Sequence, residues 1–288
     1  MKVPARATAA LSRSKGLCCE KSKAETKQKV TKMIIDLQNV SYRKNGKTIL
    51  DGINWQVEAG EHWIILGLNG SGKTTLLNLI NGYIFPAFGG SANVLGYQFG
   101  NCPIADLRKH IGWISNSLSQ NIPVNETPLD IILSGKFASI GLWDEVSEED
   151  IAKAEGVMEK LGIAKLRERT YGSLSQGEKQ KVIIGRALIS DPEIIIFDEA
   201  CNGLDIFAKK DLYGIIEKLA QEQKSIFFVT HNTDEILPIF NKALLIKEGK
   251  IHSKGDLKEV IQQENLQDFY GSDVDVFERD DRFFLFAR

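Results

Sequence analysis

The sequence predicts an α/β protein with a largely parallel central sheet, and three observations carry that prediction. Short, wholly apolar runs at residues 194–197 and 226–229 read as strands buried on both faces. Between and after such runs lie segments with apolar residues at helical spacing, as in Leu212, Ile215, Ile216 and Leu219. Strands alternating with helices imply parallel pairing. Finally, Gly67-Leu68-Asn69-Gly70-Ser71-Gly72-Lys73-Thr74 fits G-x-x-x-x-G-K-[ST], a turn that belongs between a strand and a helix.

The totals leave room for this reading. At 288 residues the chain is long for one compact domain and short for two. Apolar residues make up 43% and charged residues 26%, close to average globular usage. A formal net charge of -2 gives no global pointer to a nucleic-acid partner, and direct nucleic-acid binding is not expected. The cysteines at 18, 19, 102 and 201 show neither zinc-type spacing nor a disulfide ladder, so a reducing compartment is expected. No apolar run approaches the ~18–20 residues of a membrane helix. Any channel this chain serves must then be another polypeptide.

Taken in order, residues 1–32 form a basic extension with few large apolar residues, expected to be disordered or to precede a natural start at Met33. The absence of acids before Glu20 keeps a transit peptide as the alternative. From Met33 to about Phe99 the pattern is mostly strands, with a hairpin turn at Asn45-Gly46. His62-Trp63-Ile64-Ile65-Leu66 reads as a buried strand that feeds the glycine turn and then a helix bearing Leu76, Leu77 and Ile80. From about Ile104 to Glu168 the character becomes helical, with anchors at Leu129, Ile132 and Leu133 and again at Val157, Met158 and Leu161. A helix with Val182, Ile183, Ala187 and Leu188 stops at Asp191-Pro192. Glu248-Gly249 signals a hairpin, Asp256 with Glu259 a helix start, and residues 274–286 one more hairpin.

Two segments carry chemistry on their own residues. The glycines of residues 67–72 let backbone N–H groups surround a phosphate chain, and the following helix adds its positive end. Gly67, Asn69, Gly70, Ser71, Gly72, Lys73, Thr74 and Thr75 are therefore read as nucleotide binders. Lys73 is placed at the β- and γ-phosphates and the Thr74 hydroxyl on Mg²⁺. The second segment is the apolar strand that ends in Asp198-Glu199. Buried carboxylates need a match, which Mg²⁺ supplies to Asp198. Glu199 then serves as the general base on water.

Leu174-Ser175-Gln176-Gly177-Glu178 resembles the LSGGQ signature of the ABC (ATP-binding cassette) ATPases. It lies about a hundred residues after the phosphate loop and just before the Asp198-Glu199 strand, as in that family. Gly203-Leu204-Asp205 is similar to the family's D-loop and His231 to its switch histidine. Tyr42 resembles its adenine-stacking aromatic, although a plain strand aromatic is an alternative. The resemblance covers Met33 to roughly Gly271. It implies a phosphate-loop NTPase domain at 33–271, with an antiparallel β-subdomain, a helical subdomain at about 117–172 and a hairpin-like tail at 272–288. It also implies catalytic roles for Lys73, Glu199 and His231, and nucleotide contacts from Tyr42, Asp205, Ser175 and Gly177. The last two would act on ATP held by a second copy.

The family's Q-loop glutamine is replaced here. Ile111-Gly112-Trp113-Ile114-Ser115 leads to Asn116, which is favoured over Gln120 as the residue reaching nucleotide and Mg²⁺. Ala200 stands where the family generally has proline, and Gln176 and Glu178 alter the signature. Together with Ser117-Leu118, Ile132–Phe137 and Ile140–Leu142, the run 112–116 resembles the subgroup labelled molybdate-transport ATPase component or photorepair protein. The implied function is ATP hydrolysis driving a transporter. ATP and Mg²⁺ are the expected cofactors, and a homodimer or second ABC subunit and separate membrane permease subunits the expected partners. The expected place is the cytoplasmic face of a membrane. The rival expectation is a soluble ABC ATPase acting on nucleic acid, ribosomes or another protein.

Overall fold

Alternation of buried and exposed residues builds the first layer. The computed structural model describes residues 32–139, 141–142, 145–280 and 282–288. Residues 1–31, Cys18 and Cys19 among them, and Ile140 lie outside the described residues. Strands β1 (Met33–Lys44) and β2 (Lys47–Glu58) pair antiparallel across Asn45-Gly46, where both residues adopt positive φ, 51° and 77°. This is the turn whose twist suits a two-residue hairpin. Strands β4 (Ser91–Val94) and β5 (Tyr97–Gln98) complete a four-stranded sheet in the order β2-β1-β4-β5.

The second sheet has six strands in the order β10-β9-β3-β8-β7-β6. They are β3 (His62–Leu66), β6 (Ile111–Ser115), β7 (Ile194–Asp198), β8 (Ser225–Thr230), β9 (Lys242–Lys247) and β10 (Lys250–Asp256). Five run parallel, and β10 pairs antiparallel with β9 across Glu248-Gly249. The apolar runs are explained by burial on both faces. Ile194, Ile196, Phe227 and Val229 face the antiparallel sheet and α1 (Lys73–Ile80). Ile195, Phe197, Ile226 and Phe228 face α5 (Gln176–Leu188) and α6 (Ile206–Ala220).

Helices α2 (Asn116–Asn121), α3 (Pro128–Lys136) and α4 (Glu148–Lys160) lie between β6 and α5 in sequence. Leu129, Ile132, Met158 and Leu161 are buried in one cluster with Val182 and Ile183 of α5. The helical character expected from about Ile104 is interrupted by β6. That strand fits against α5 because it carries Gly112, where a Cβ would come within 2.9 Å of Ala187 O. The helix start read at Asp256 is α7 (Leu257–Val260), but no capping bond forms: the Asp256 carboxylate takes Lys242 Nζ at 2.8 Å instead. A further helix, α8 (Gln263–Tyr270), ends at Gly271 in the left-handed region. It precedes the hairpin of β11 (Val274–Arg279) and β12 (Arg282–Ala287). No helix among the described residues is long and apolar enough to cross a membrane.

Candidate functional site

Parallel pairing brings four carboxyl ends to one edge of the sheet. Leu66 lies beside Thr230, Val229 beside Asp198, and Asp198 beside Ser115. The residues that follow these positions, Gly67, His231, Glu199 and Asn116, therefore converge, as expected at the carboxyl edge of an open α/β sheet.

The glycine loop is pinned from three sides. At Gly67 a Cβ would meet Ser71 Oγ at 2.5 Å and Ile246 O at 2.7 Å. Gly72 has φ 110° and sits against Leu50. The β9–β10 turn closes on the loop through a 2.8 Å bond from Gly249 N to Ser71 O. Behind this loop α1 begins with no side-chain cap, so its first amides keep no acceptor from their own helix or from a capping side chain. Ser71 Oγ is buried without a partner. An uncapped helix start behind a glycine turn fits an anionic chain such as a triphosphate.

Lys73, 6% exposed, donates to Gly67 O at 2.7 Å and Leu68 O at 3.2 Å, and its ammonium lies 3.9 Å from Glu199 Oε1. Burial lowers its pKa, and the charges of Glu199 and Asp198 partly oppose that. Asp198 is 8% exposed, and burial first, then the Glu199 charge, pushes its pKa up to about 6. A buried carboxylate short of positive charge, with the Thr74 hydroxyl in the first turn of α1, is a donor set that fits Mg²⁺. Glu199 has φ 52°, unusual for a residue with a side chain. Its other carboxylate oxygen accepts from Asn202 Nδ2 at 3.0 Å, and His231 Nδ1 lies 3.6 Å from Oε1. Asn116 Nδ2 donates to the Glu199 carbonyl at 3.3 Å, while Gln120 is exposed on α2.

The signature lies in a different place. Ser175 caps α5 in a full capping box: its Oγ accepts from Glu178 N at 3.3 Å, and its N donates to Glu178 Oε2 at 2.9 Å. Asp205 caps α6, accepting from Phe207 N and Ala208 N at 2.9 Å. Ser175, Gly177 and Asp205 line one cavity of about 480 Å³, to which no residue of the 67–75 loop contributes.

The ABC transporter family model matches residues 50–202. An uncharacterized ABC transporter ATP-binding protein of Bacillus subtilis, YlmA, is 44% identical over 88% of this chain and 97% of its own length. The chain belongs to the ABC transporter family. As a nucleotide-binding subunit of the ABC family it binds and hydrolyses ATP. A Streptococcus mutans relative, a putative ABC transporter ATP-binding protein, is 40% identical over 88% of this chain and 98% of its own. Among solved structures, the ADP conformation of an ATP-binding cassette of an ABC transporter superposes with a TM-score of 0.72. That pair is 25% identical over 83% of this chain and 99% of the other.

Among the residues read from sequence, Lys73, Asp198, Glu199, His231 and Asn116 come together at the sheet edge, with the loop residues through Thr75 beside them. Tyr42 lies on β1 opposite Leu50, the residue that touches Gly72, and is half-buried. Ser175, Gly177 and Asp205 are grouped in the other cavity. Sequence reasoning passed over Asn202 and Glu235. Asn202 is an ordinary loop residue until the turn after Glu199 folds it back. Glu235 looks like a surface acid in Thr233-Asp234-Glu235, yet it is 1% exposed.

Proposed function

We propose that this ABC subunit hydrolyses ATP in a head-to-tail pair, each active site combining the phosphate loop of one copy with Ser175 and Gly177 of the other. The observation that carries the reading is the division of the ABC motifs between two separate places. Lys73, Asp198, Glu199 and His231 surround the loop, whereas Ser175, Gly177 and Asp205 line a cavity the loop does not enter. A second copy presented in opposite orientation brings the two halves together.

In this reading the amides of residues 69–75 and the Lys73 ammonium hold the phosphate chain, and Tyr42 stacks on the base. Thr74 and Asp198, with Asn116, would hold Mg²⁺, which would supply charge neutralisation when bound. Glu199 orients the attacking water and takes its proton. Its positive-φ backbone is held by the 2.9 Å bond from its own N to Val229 O and by the Asn116 amide at its carbonyl. His231 approaches the same Glu199 oxygen that faces Lys73, while Asn202 holds the other. The α5 N-terminus adds its positive end over the γ-phosphate. Hydrolysis removes that contact and loosens the pair, a shift driven by differential affinity for ATP and ADP.

Coupling to separate membrane-spanning subunits, with this chain on the cytoplasmic face, is the use that fits best; the helices at about 117–172 form the surface for passing the motion on. The domain boundaries at 33–271 and 272–288 belong to the same proposal.

The test is Glu199→Gln. The variant should bind ATP, lose turnover by at least about 10²-fold, and accumulate as an ATP-dependent dimer in sedimentation. Unchanged turnover would remove Glu199 from its role. A variant that retains ATP yet stays monomeric at every concentration would refute the pairing.

A further inference from the structure

The loop that carries His231 is anchored from behind by a buried carboxylate that the roles above leave unused. Glu235 closes the short 3-10 turn Thr233–Glu235 and is 1% exposed. Its Oε2 accepts from Thr230 Oγ1 at 2.6 Å. Its Oε1 accepts from Lys209 Nζ at 3.1 Å and Asn232 Nδ2 at 3.3 Å. Thr230 Oγ1 accepts in turn from Asn232 N at 3.0 Å. His231 thus sits between two residues tied to a single carboxylate, while its own ring meets Glu199.

The other end of the ion pair reaches the opposite half of the chemistry. Lys209 lies one turn into α6, and its backbone N–H donates to Asp205 O at 2.9 Å. Asp205 caps the same helix beside the signature cavity. Burial alone would pull the Lys209 ammonium down, but the hydrogen bond and charge of Glu235 hold it above its ordinary value. A carboxylate this buried is tolerated only when matched, so the pair fixes the distance between α6 and the 230–235 loop.

We propose that Lys209 and Glu235 are positioning residues for hydrolysis, tying the placement of His231 against Glu199 to the start of α6. They act through Thr230, Asn232 and the first turn of α6. A second copy that presses on Asp205 would therefore also set His231. The inference rests on the ATPase reading above and deepens it by naming how closure is sensed.

The experiment uses the full chain with Lys209→Met, Lys209→Arg and Glu235→Gln, reading steady-state hydrolysis, ATP binding and thermal melting separately. Lys209→Met should lower kcat about tenfold or more, with KM and ATP affinity within about twofold, because the loss is one of alignment. Lys209→Arg should restore most of it. Combining Lys209→Met with Glu235→Gln should cost little beyond the worse single change. The Lys209 side chain is 30% exposed, so its variants remain informative if Glu235→Gln does not fold. An unchanged kcat in Lys209→Met, or a fall in kcat, affinity and melting temperature together, overturns the positioning role. A wild-type chain that binds ATP without turning it over sinks the ATPase reading itself, and this inference with it.

Discussion

The N-termini of α1 and α5 are finished in opposite ways. Helix α1 starts at a left-handed glycine with no side-chain cap and a buried lysine. Helix α5 starts with a complete capping box, the Glu178 amide met by Ser175 Oγ and the Ser175 amide by the Glu178 carboxylate. One end has no capping side chain; the other has two amides met by its own side chains and a carboxylate at its positive end. In the proposed pair, the difference assigns α1 to binding nucleotide in the single copy and α5 to contributing when a nucleotide is brought to it. The same contrast runs through the carboxylates. Asp198 is buried and short of positive charge, while the backbone N–H of Ser175 holds Glu178 below the usual carboxylate range.

The largest effect should come from the uncapped end. Lys73→Ala should lower kcat/KM for ATP by about 10³-fold, with loss of nucleotide binding in a filter or fluorescence assay. Retained binding would mean that the loop amides alone suffice.

Asp198→Asn sharpens the contrast through stability. A carboxylate whose folded pKa is raised from 3.8 to about 6 makes the native state less favourable once pH exceeds the unfolded value, fully so above about 6. Without nucleotide or Mg²⁺, Asp198→Asn should therefore stabilise the protein at pH 7 by up to about 3 kcal/mol. The gain should fade as pH falls from 6 to 4. Denaturant melts across that range check the sign, and turnover should be lost at every pH.

The smallest effects belong to α5. Ser175→Ala should cost about 1 kcal/mol in folding through the lost cap and also weaken ATP-dependent pairing. Glu178→Gln keeps an acceptor for the Ser175 N–H but removes a negative charge from the end proposed to meet the γ-phosphate. It should lower melting slightly, because folding favours the charged Glu178, and tighten pairing a few-fold in sedimentation of the Glu199→Gln background. Weaker pairing in Glu178→Gln would break the comparison.

Much of this was legible in the sequence because it depends on local rules. Residues 194–197 and 226–229 are apolar at every position, which only a strand covered on both faces requires. Asn45-Gly46 adopts positive φ at both positions, which few other pairs do cheaply, and Gly249 supplies the easy half of the Glu248-Gly249 turn. The spacing of Gly67, Gly70, Gly72 and Lys73 announces a phosphate loop whatever surrounds it. Strand β6 was blurred inside a helical stretch because its fit depends on Gly112 passing close to Ala187 of α5, a contact between residues distant in sequence.

The sequence by itself determined the α/β class, the phosphate loop, the paired acids of β7 and the order of the motifs, since each rests on side-chain type and short spacing. Only the tertiary structure decided that Asn116 holds the Glu199 carbonyl, that Asp205 and Ser175 share a cavity apart from the loop, and that Glu235 is buried against Lys209. Those facts arise where parallel strands end side by side and where helices cross. Burial and partnership there are set by chain segments tens of residues away, so no local pattern encodes them.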